Sequence, residues 1–143
     1  MIKDIVVNLS VTGGGPAGDY AVSVASAMSA HLAGVAFVYD PIVPVSATGY
    51  IPAEVIERQQ ADNEADAKAA IDRFNQATKR AGLSAEPLTI TASLAGAGEQ
   101  FGRIARRFDL AVVGQAEPET STIDDIIAET TLFESGRPIV VVP

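Results

Sequence analysis

Residues 109–114 read DLAVVG. A charge opens the stretch, a glycine closes it, and only apolar residues lie between. A run this short and this apolar suits a strand covered on both faces. Such a strand belongs in a parallel sheet with helices above and below it. The neighbouring runs extend the pattern. IVVNLSV at 5–11 predicts the first strand, GVAFVYD at 34–40 the second and PLTITAS at 87–93 the third. DLAVVG is then the fourth and IVVV at 139–142 the fifth. Strands one, four and five are nearly all apolar, as burial on both faces requires.

Helical patterns separate these runs. The first spans Asp19 to about His31, with Asp19 as N-cap and Gly34 near its C-terminal end. His31 then sits in its last turn, where a partly positive imidazole suits the helix dipole. PIVPVSATGYIP at 41–52 is a loop broken by prolines. A long helix starts after Pro52 and stops at Gly82. Its second half carries an apolar stripe of Ala67, Ile71, Phe74, Ala77 and Ala81, while its first half, EVIERQQADNEAD, is mostly polar. Phe101, Ile104, Ala105 and Phe108 give the next helix its buried face. A short helix over 123–133 is opened by Asp124 and Asp125, with Thr122 as its cap. Alternation of strand and helix demands crossovers, so the chain reads as one three-layer α/β domain with a parallel sheet.

Composition narrows the function. The chain has 143 residues, 48% of them apolar, enough for one sizeable core. Eighteen acids against ten Lys and Arg give a net charge of -8, which argues against a nucleic-acid partner. Cysteine is absent, which excludes disulfides and thiolate chemistry. MIKDIVVNLS reads as a strand and not a signal peptide, and no apolar run has the length of a membrane span. A cytoplasmic protein is the expectation.

GGGPAG at 13–18 spells G-x-G-x-x-G through Gly13, Gly15 and Gly18. A dinucleotide-binding loop uses that spacing to bring backbone amides to a pyrophosphate. Asp40, at the end of the second strand, stands where a ribose-binding acid would. An oxidoreductase fragment holding a flavin or nicotinamide is one reading. A tight turn in which glycine lowers the strain of a sharp reversal is the other. The chain offers little length for a second nucleotide-binding half, no cysteine pair, and His31 as its only histidine.

DLAVVGQ at 109–115 together with FESGRPIVVVP at 133–143 resembles the universal stress protein family. KDIVVNLS followed by YAVSVASAMSAHLAGVAFVYDP resembles it more weakly. The likeness covers essentially the whole chain, and some members carry two such domains in tandem. It implies a five-stranded parallel sheet of order 3-2-1-4-5, Rossmann-like, of the adenine nucleotide alpha hydrolase kind. Strand order reverses between strands one and four, so a ligand crevice opens at their carboxyl ends. One wall is the loop with Thr12, Gly13 and Gly15; the other starts at Gly114 and Gln115.

ATP-binding members place G-x-x-G-x9-G-[ST] between strand four and the last helix, so that amides wrap the phosphates. Gly114 matches the first glycine, but the second falls at Glu117. Counted back from RPIVVV, the third glycine and the hydroxyl fall at Asp125 and Ile126. The family's aspartate near adenine is Ser10 here, and the strand-two residue whose backbone meets the base is Phe37 or Val38. From Phe108 to Gly136 there is no Lys, Arg or His, against Asp109, Glu117, Glu119, Asp124, Asp125, Glu129 and Glu134. A triphosphate brings about four negative charges, and each unpaired like charge within about 4–6 Å costs on the order of 1 kcal/mol.

The expectation is a degenerate, non-enzymatic stress-response protein without tight ATP binding and with no required cofactor or metal. The alternative is an ATP-binding switch with slow hydrolysis. Asp124 and Asp125 open a helix or, alternatively, ligate a metal. Arg103, Arg106 and Arg107, with Lys79 and Arg80, form a solvated face. Asn8 is either buried with hydrogen-bond partners or lines the crevice. Ile139, Val140, Val141 and Val142 form an apolar edge strand, which in the family pairs across a two-fold axis. A homodimer through that strand is expected, with a further, unidentified protein partner.

Overall fold

The computed structural model describes residues 1–11, 15–43, 49, 51–116 and 122–143. The elements run β1 (Asp4–Asn8), α1 (Pro16–Met28), β2 (His31–Tyr39), α2 (Ala53–Ala81), β3 (Ala85–Ala92), α3 (Ala97–Ala105), β4 (Leu110–Gly114), α4 (Thr122–Glu134) and β5 (Ile139–Val142). The strands form one parallel sheet of order β3-β2-β1-β4-β5. This is the topology that the alternation and the family likeness imply.

Each crossover places a helix on one face of the sheet. On one face, Ile5, Val7 and Leu9 of the first strand region pack with Ala17, Ala21 and Ala25 of α1 and with Ala67, Ala70 and Phe74 of α2. On the other, Val6, Val35, Phe37 and Val113 pack with Ala97, Phe101 and Ala105 of α3 and with Ile127 of α4. Side chains alternate along a strand, so Val6 and Val7 belong to different clusters. Small residues set the layer spacing. A Cβ added at Gly34 in β2 would stand 2.8 Å from the Phe74 ring. One added at Gly98 in α3 would stand 2.9 Å from Thr130 Oγ1 and 3.2 Å from the Ile126 carbonyl. Both glycines exist because a neighbour needs their missing methyl's space.

Several boundaries differ from the sequence expectation. α1 starts at Pro16 with Gly15 as N-cap. Proline's fixed φ suits the first helical position, and Asp19 lies in the first turn, where its charge still favours the dipole. The helix stops at Ser29, whose φ of 52° is left-handed. Serine rarely takes that conformation, so the stop is invisible to a search for glycine. Gly34 therefore lies inside β2, and His31 opens that strand instead of closing α1. His31 Nδ1 stands 3.5 Å from an Asp4 carboxylate oxygen.

β1 ends at Asn8, although Leu9 N–H still donates to the Val35 carbonyl. In α2 the buried residues are Ala67, Ala70, Phe74 and Thr78, while Ala81 is exposed. The helix ends at Gly82, with φ 65°, where expected. β5 is only half-buried, with Val141 45% exposed, because it forms a sheet edge and not an interior strand. Pro87 is tolerated in β3 because that strand is the opposite edge.

Candidate functional site

β1 lies between β2 and β4, and the chain leaves it in one direction towards β2 and reaches β4 by the other. The carboxyl ends of β1 and β4 therefore flank the crevice expected for a ligand. Thr12, Gly13 and Glu117, three of the expected site residues, lie outside the described residues, as does Glu119.

The described positions form two groups. Ser10 and Gly15 meet at the amino end of α1, where a Cβ on Gly15 would stand 3.3 Å from Ser10 Cβ. With Leu9, Gly18, Asp19, Arg73 and Phe74 they help line a cavity of about 70 Å³ between α1 and α2. Ligand pockets for drug-sized molecules run to roughly 300–1,000 Å³, so this cavity takes waters and not a nucleotide. Arg73 was not among the sequence candidates. It sits on the polar side of α2, where nothing in the stripe singles it out.

The second group lies at the sheet's carboxyl end. Phe37 and Val38 are both buried, Phe37 on the α3/α4 face and Val38 on the α1/α2 face. Val35 carbonyl accepts from Leu9 N–H, so the backbone of Phe37, two residues on, faces the same side, beyond the end of β1. Of the two, Phe37 is the one whose backbone faces the crevice. Asp40 is exposed, and its N–H donates to the Ala92 carbonyl. Gly114 is half-buried, and among the described residues a Cβ there would meet only Ala17 Cβ at 3.9 Å, an ordinary van der Waals contact. Gln115 is exposed, with its N–H donating to the Val142 carbonyl.

Asp124 and Asp125 occupy the first turn of α4, as the helix-opening reading has it. Asp125 and Ile126 are exposed and already helical, so neither stands in an extended phosphate loop. Asp124 does more than open the helix. Burial pushes the Tyr39 phenol well above the ordinary tyrosine range, and the Asp124 carboxylate adds to that. Tyr39 ends β2 and packs on the α3/α4 face, and Asp124 lies in the first turn of α4, so the pair belongs to that face at the sheet's carboxyl end. Asn63 of α2 fixes the same corner by donating to the Tyr39 carbonyl at 2.8 Å. Tyr39 was missed in the sequence because it reads there as one more apolar residue of a strand.

Asn8 is buried, 4% exposed, and its Oδ1 has no hydrogen-bond partner among the described residues. Strand alternation points it to the α3/α4 face, with Val6. The expectation that a buried Asn8 finds its partners holds only in part: a buried acceptor is left over at the end of the central strand.

The expected ring of carboxylates is smaller than the count along the chain. Asp109 belongs to the opposite end of the sheet. Its carboxylate accepts from the Lys3 N–H at 2.8 Å and the Asp4 N–H at 3.1 Å, bonds that hold it below its ordinary pKa. Arg106 lies at that end too, its Nε donating to the Glu134 carbonyl at 2.9 Å, while Arg137 Nε donates to the Arg106 carbonyl at 3.1 Å. Arg103 pairs with Glu99 one turn away. Among the described residues no three of His, Asp or Glu converge as metal ligands, and no helix is long and apolar enough to cross a membrane.

No family model matches the chain. No curated protein matches it in sequence. Solved structures do. A universal stress protein family member from Burkholderia pseudomallei superposes with a TM-score of 0.72 at 21% identity, over 99% of this chain and 96% of that one. A universal stress protein in complex with cAMP gives 0.62 at 18% identity, over 99% and 97%. The universal stress protein from Archaeoglobus fulgidus in complex with dAMP gives 0.65 at 13% identity, over the full length of both. From β1 to β5, the chain has the fold of the universal stress proteins.

Proposed function

We propose that this chain is a stress-response protein of the universal stress protein type, cytoplasmic and non-enzymatic, that does not hold ATP tightly. It acts as a homodimer, through contacts with a further protein or a weakly bound small ligand. One observation carries this reading. Asp124, Asp125 and Ile126 fill the first turn of α4, where a phosphate tail needs uncapped amides and no carboxylate. Gly114 alone keeps its place in the motif. The fold also bears against the dinucleotide reading: the sheet has five strands, one short of the doubled mononucleotide unit.

The dimer proposal rests on β5. The carbonyls of Pro138 and Val142 accept from β4 and the residue after it, so the backbone groups of Ile139 and Val141 face the open edge. Val141 is 45% exposed, and an apolar edge strand invites pairing.

The second reading, a nucleotide-dependent switch, is supported by the complexes of two similar folds with cAMP and dAMP. Isothermal titration with Mg-ATP, and separately with AMP, decides between the two. The main reading expects no saturable ATP heat at micromolar concentrations; a tight ATP isotherm sinks it. Sedimentation of the wild type and of Val141→Lys tests the dimer, which the lysine should dissociate.

A further inference from the structure

We propose that the groove at the amino end of α2 docks a cationic amphipathic helix of a partner protein. Its lining shares no residue with the small cavity between α1 and α2 or with β5. The groove has a volume of about 540 Å³, with Ile42, Ile51, Val55 and Ile56 among its apolar lining. Ile42 is 59% and Val55 56% exposed. Single exposed apolar residues are ordinary, but a set around one hollow marks an interaction site.

The helix that carries the groove is unusual in its support. Residues 53–66 contain no buried residue; the first is Ala67. A helix segment that is polar on nearly every side normally leans on side-chain pairs or on something that covers it. In this segment Gln60 donates to Glu64, and Asn63 ties it to Tyr39. The apolar cluster at its tip is not buried: Ile42 and Val55 are exposed, and Ile51 and Ile56 are half-buried.

Charge selects the occupant. The same fourteen residues carry Glu54, Glu57, Asp62, Glu64 and Asp66 against Arg58, a net -4 out of the chain's -8. All six side chains are exposed. An apolar hollow in an acidic field attracts a helix with apolar anchors at i, i+3, i+4 and i+7 flanked by Lys or Arg. The same field repels an anionic membrane. It also disfavours a second copy of this chain: the exposed Leu132 and Phe133 sit beside Glu129 and Glu134, and would bring acid against acid. The chain's own residues 44–48, PVSAT, carry no charge to answer the field.

The test uses a fluorescein-labelled synthetic Leu/Lys peptide of about five turns, with leucines on one face, and a scrambled peptide of the same composition. Fluorescence anisotropy should give saturable one-to-one binding to the whole chain, with the scrambled peptide about tenfold weaker or worse. Val55→Asp and, separately, Glu57→Lys with Asp62→Lys should each weaken it about tenfold, and the double charge change should flatten the salt dependence. These positions are exposed, and circular dichroism confirms that the variants fold. Equal binding of the scrambled peptide, indifference to both variants, or no binding at all overturns the proposal. So does a wild-type dimer that Val55→Asp dissolves, which makes a second copy the occupant. Binding that appears only in Val45→Asp overturns it too, since the groove is then filled by the chain itself.

Discussion

The two faces of the sheet are built differently. The core of the α1/α2 face is apolar: alanines, valines, leucines and Phe74 fill it, and its buried polar side chain, Thr78, donates within its own helix to the carbonyls of Phe74 and Asn75. The α3/α4 face has an apolar core too, but polar groups interrupt it. Thr131 bonds back to the Ile127 carbonyl and Ser135 accepts from the Arg137 N–H. At the carboxyl end, Asn8 Oδ1 has no partner among the described residues, and half-buried Tyr39 feels the charge of the Asp124 carboxylate. One face therefore concentrates stability, and the other concentrates groups that cost stability and can serve recognition.

The sharpest way to break that contrast is at Phe74. It is 3% exposed, and its ring occupies the space that Gly34 leaves open. Phe74→Ala should cost about 3–5 kcal/mol by denaturant unfolding. Gly34→Ala alone should also destabilise, because its methyl would stand 2.8 Å from the ring. Combined with Phe74→Ala it should recover part of the loss, giving a coupling of about 1 kcal/mol or more in the double-mutant cycle. Additive losses would mean that ring and glycine do not determine each other.

The equivalent contact on the other face is softer. Gly98→Ala places a methyl against Thr130 Oγ1 at 2.9 Å and Cβ at 3.1 Å, and against a backbone carbonyl at 3.2 Å. The side chain can turn but the carbonyl cannot, so α3 and α4 must separate slightly. A loss of about 1–3 kcal/mol is expected. No measurable change in the urea midpoint would show that this interface is loosely packed.

Asn8 should respond in the opposite direction. Asn8→Val removes an orphaned acceptor from a buried strand and puts a strand-favouring apolar side chain there, so the protein should become about 1 kcal/mol more stable. The same variant should weaken whatever ligand uses that acceptor. A destabilised Asn8→Val would mean that the carboxamide is satisfied in solution.

Most of the fold was legible in the sequence because its signals are local and strong. Five apolar runs, two long helical stripes and the stops at Pro52 and Gly82 required no tertiary knowledge. The misread boundary shows what was not legible. The end of α1 at Ser29 depends on a left-handed serine, which propensity does not announce. Residue type placed Asp109 and Asp124 in one acidic ring, but the topology sends Asp109 to the amino end of the sheet, where two backbone amides hold it. Tyr39 and Asp124 are 85 positions apart in the numbering, and only the fold, with α4 on the face where Tyr39 packs, brings them within electrostatic reach.

That pair offers the smallest effect. With its phenol raised well above 10, Tyr39 keeps its proton in the folded state at a pH where the unfolded chain has lost it. The unfolded state then binds fewer protons, so stability should fall as pH rises above about 10. Tyr39→Phe should remove that alkaline loss while leaving stability at neutral pH nearly unchanged. Asp124→Asn should lower the phenol only partway, because burial is the larger cause and the carboxylate the smaller. Ultraviolet titration of the tyrosinate band in a Tyr20→Phe, Tyr50→Phe background isolates Tyr39. A shift on Asp124→Asn that returned the phenol to its ordinary range would mean that the carboxylate, and not burial, holds the proton in place. The carboxyl end of the sheet would then be wetter than its half-buried tyrosine implies, and open enough for a ligand to displace that side chain.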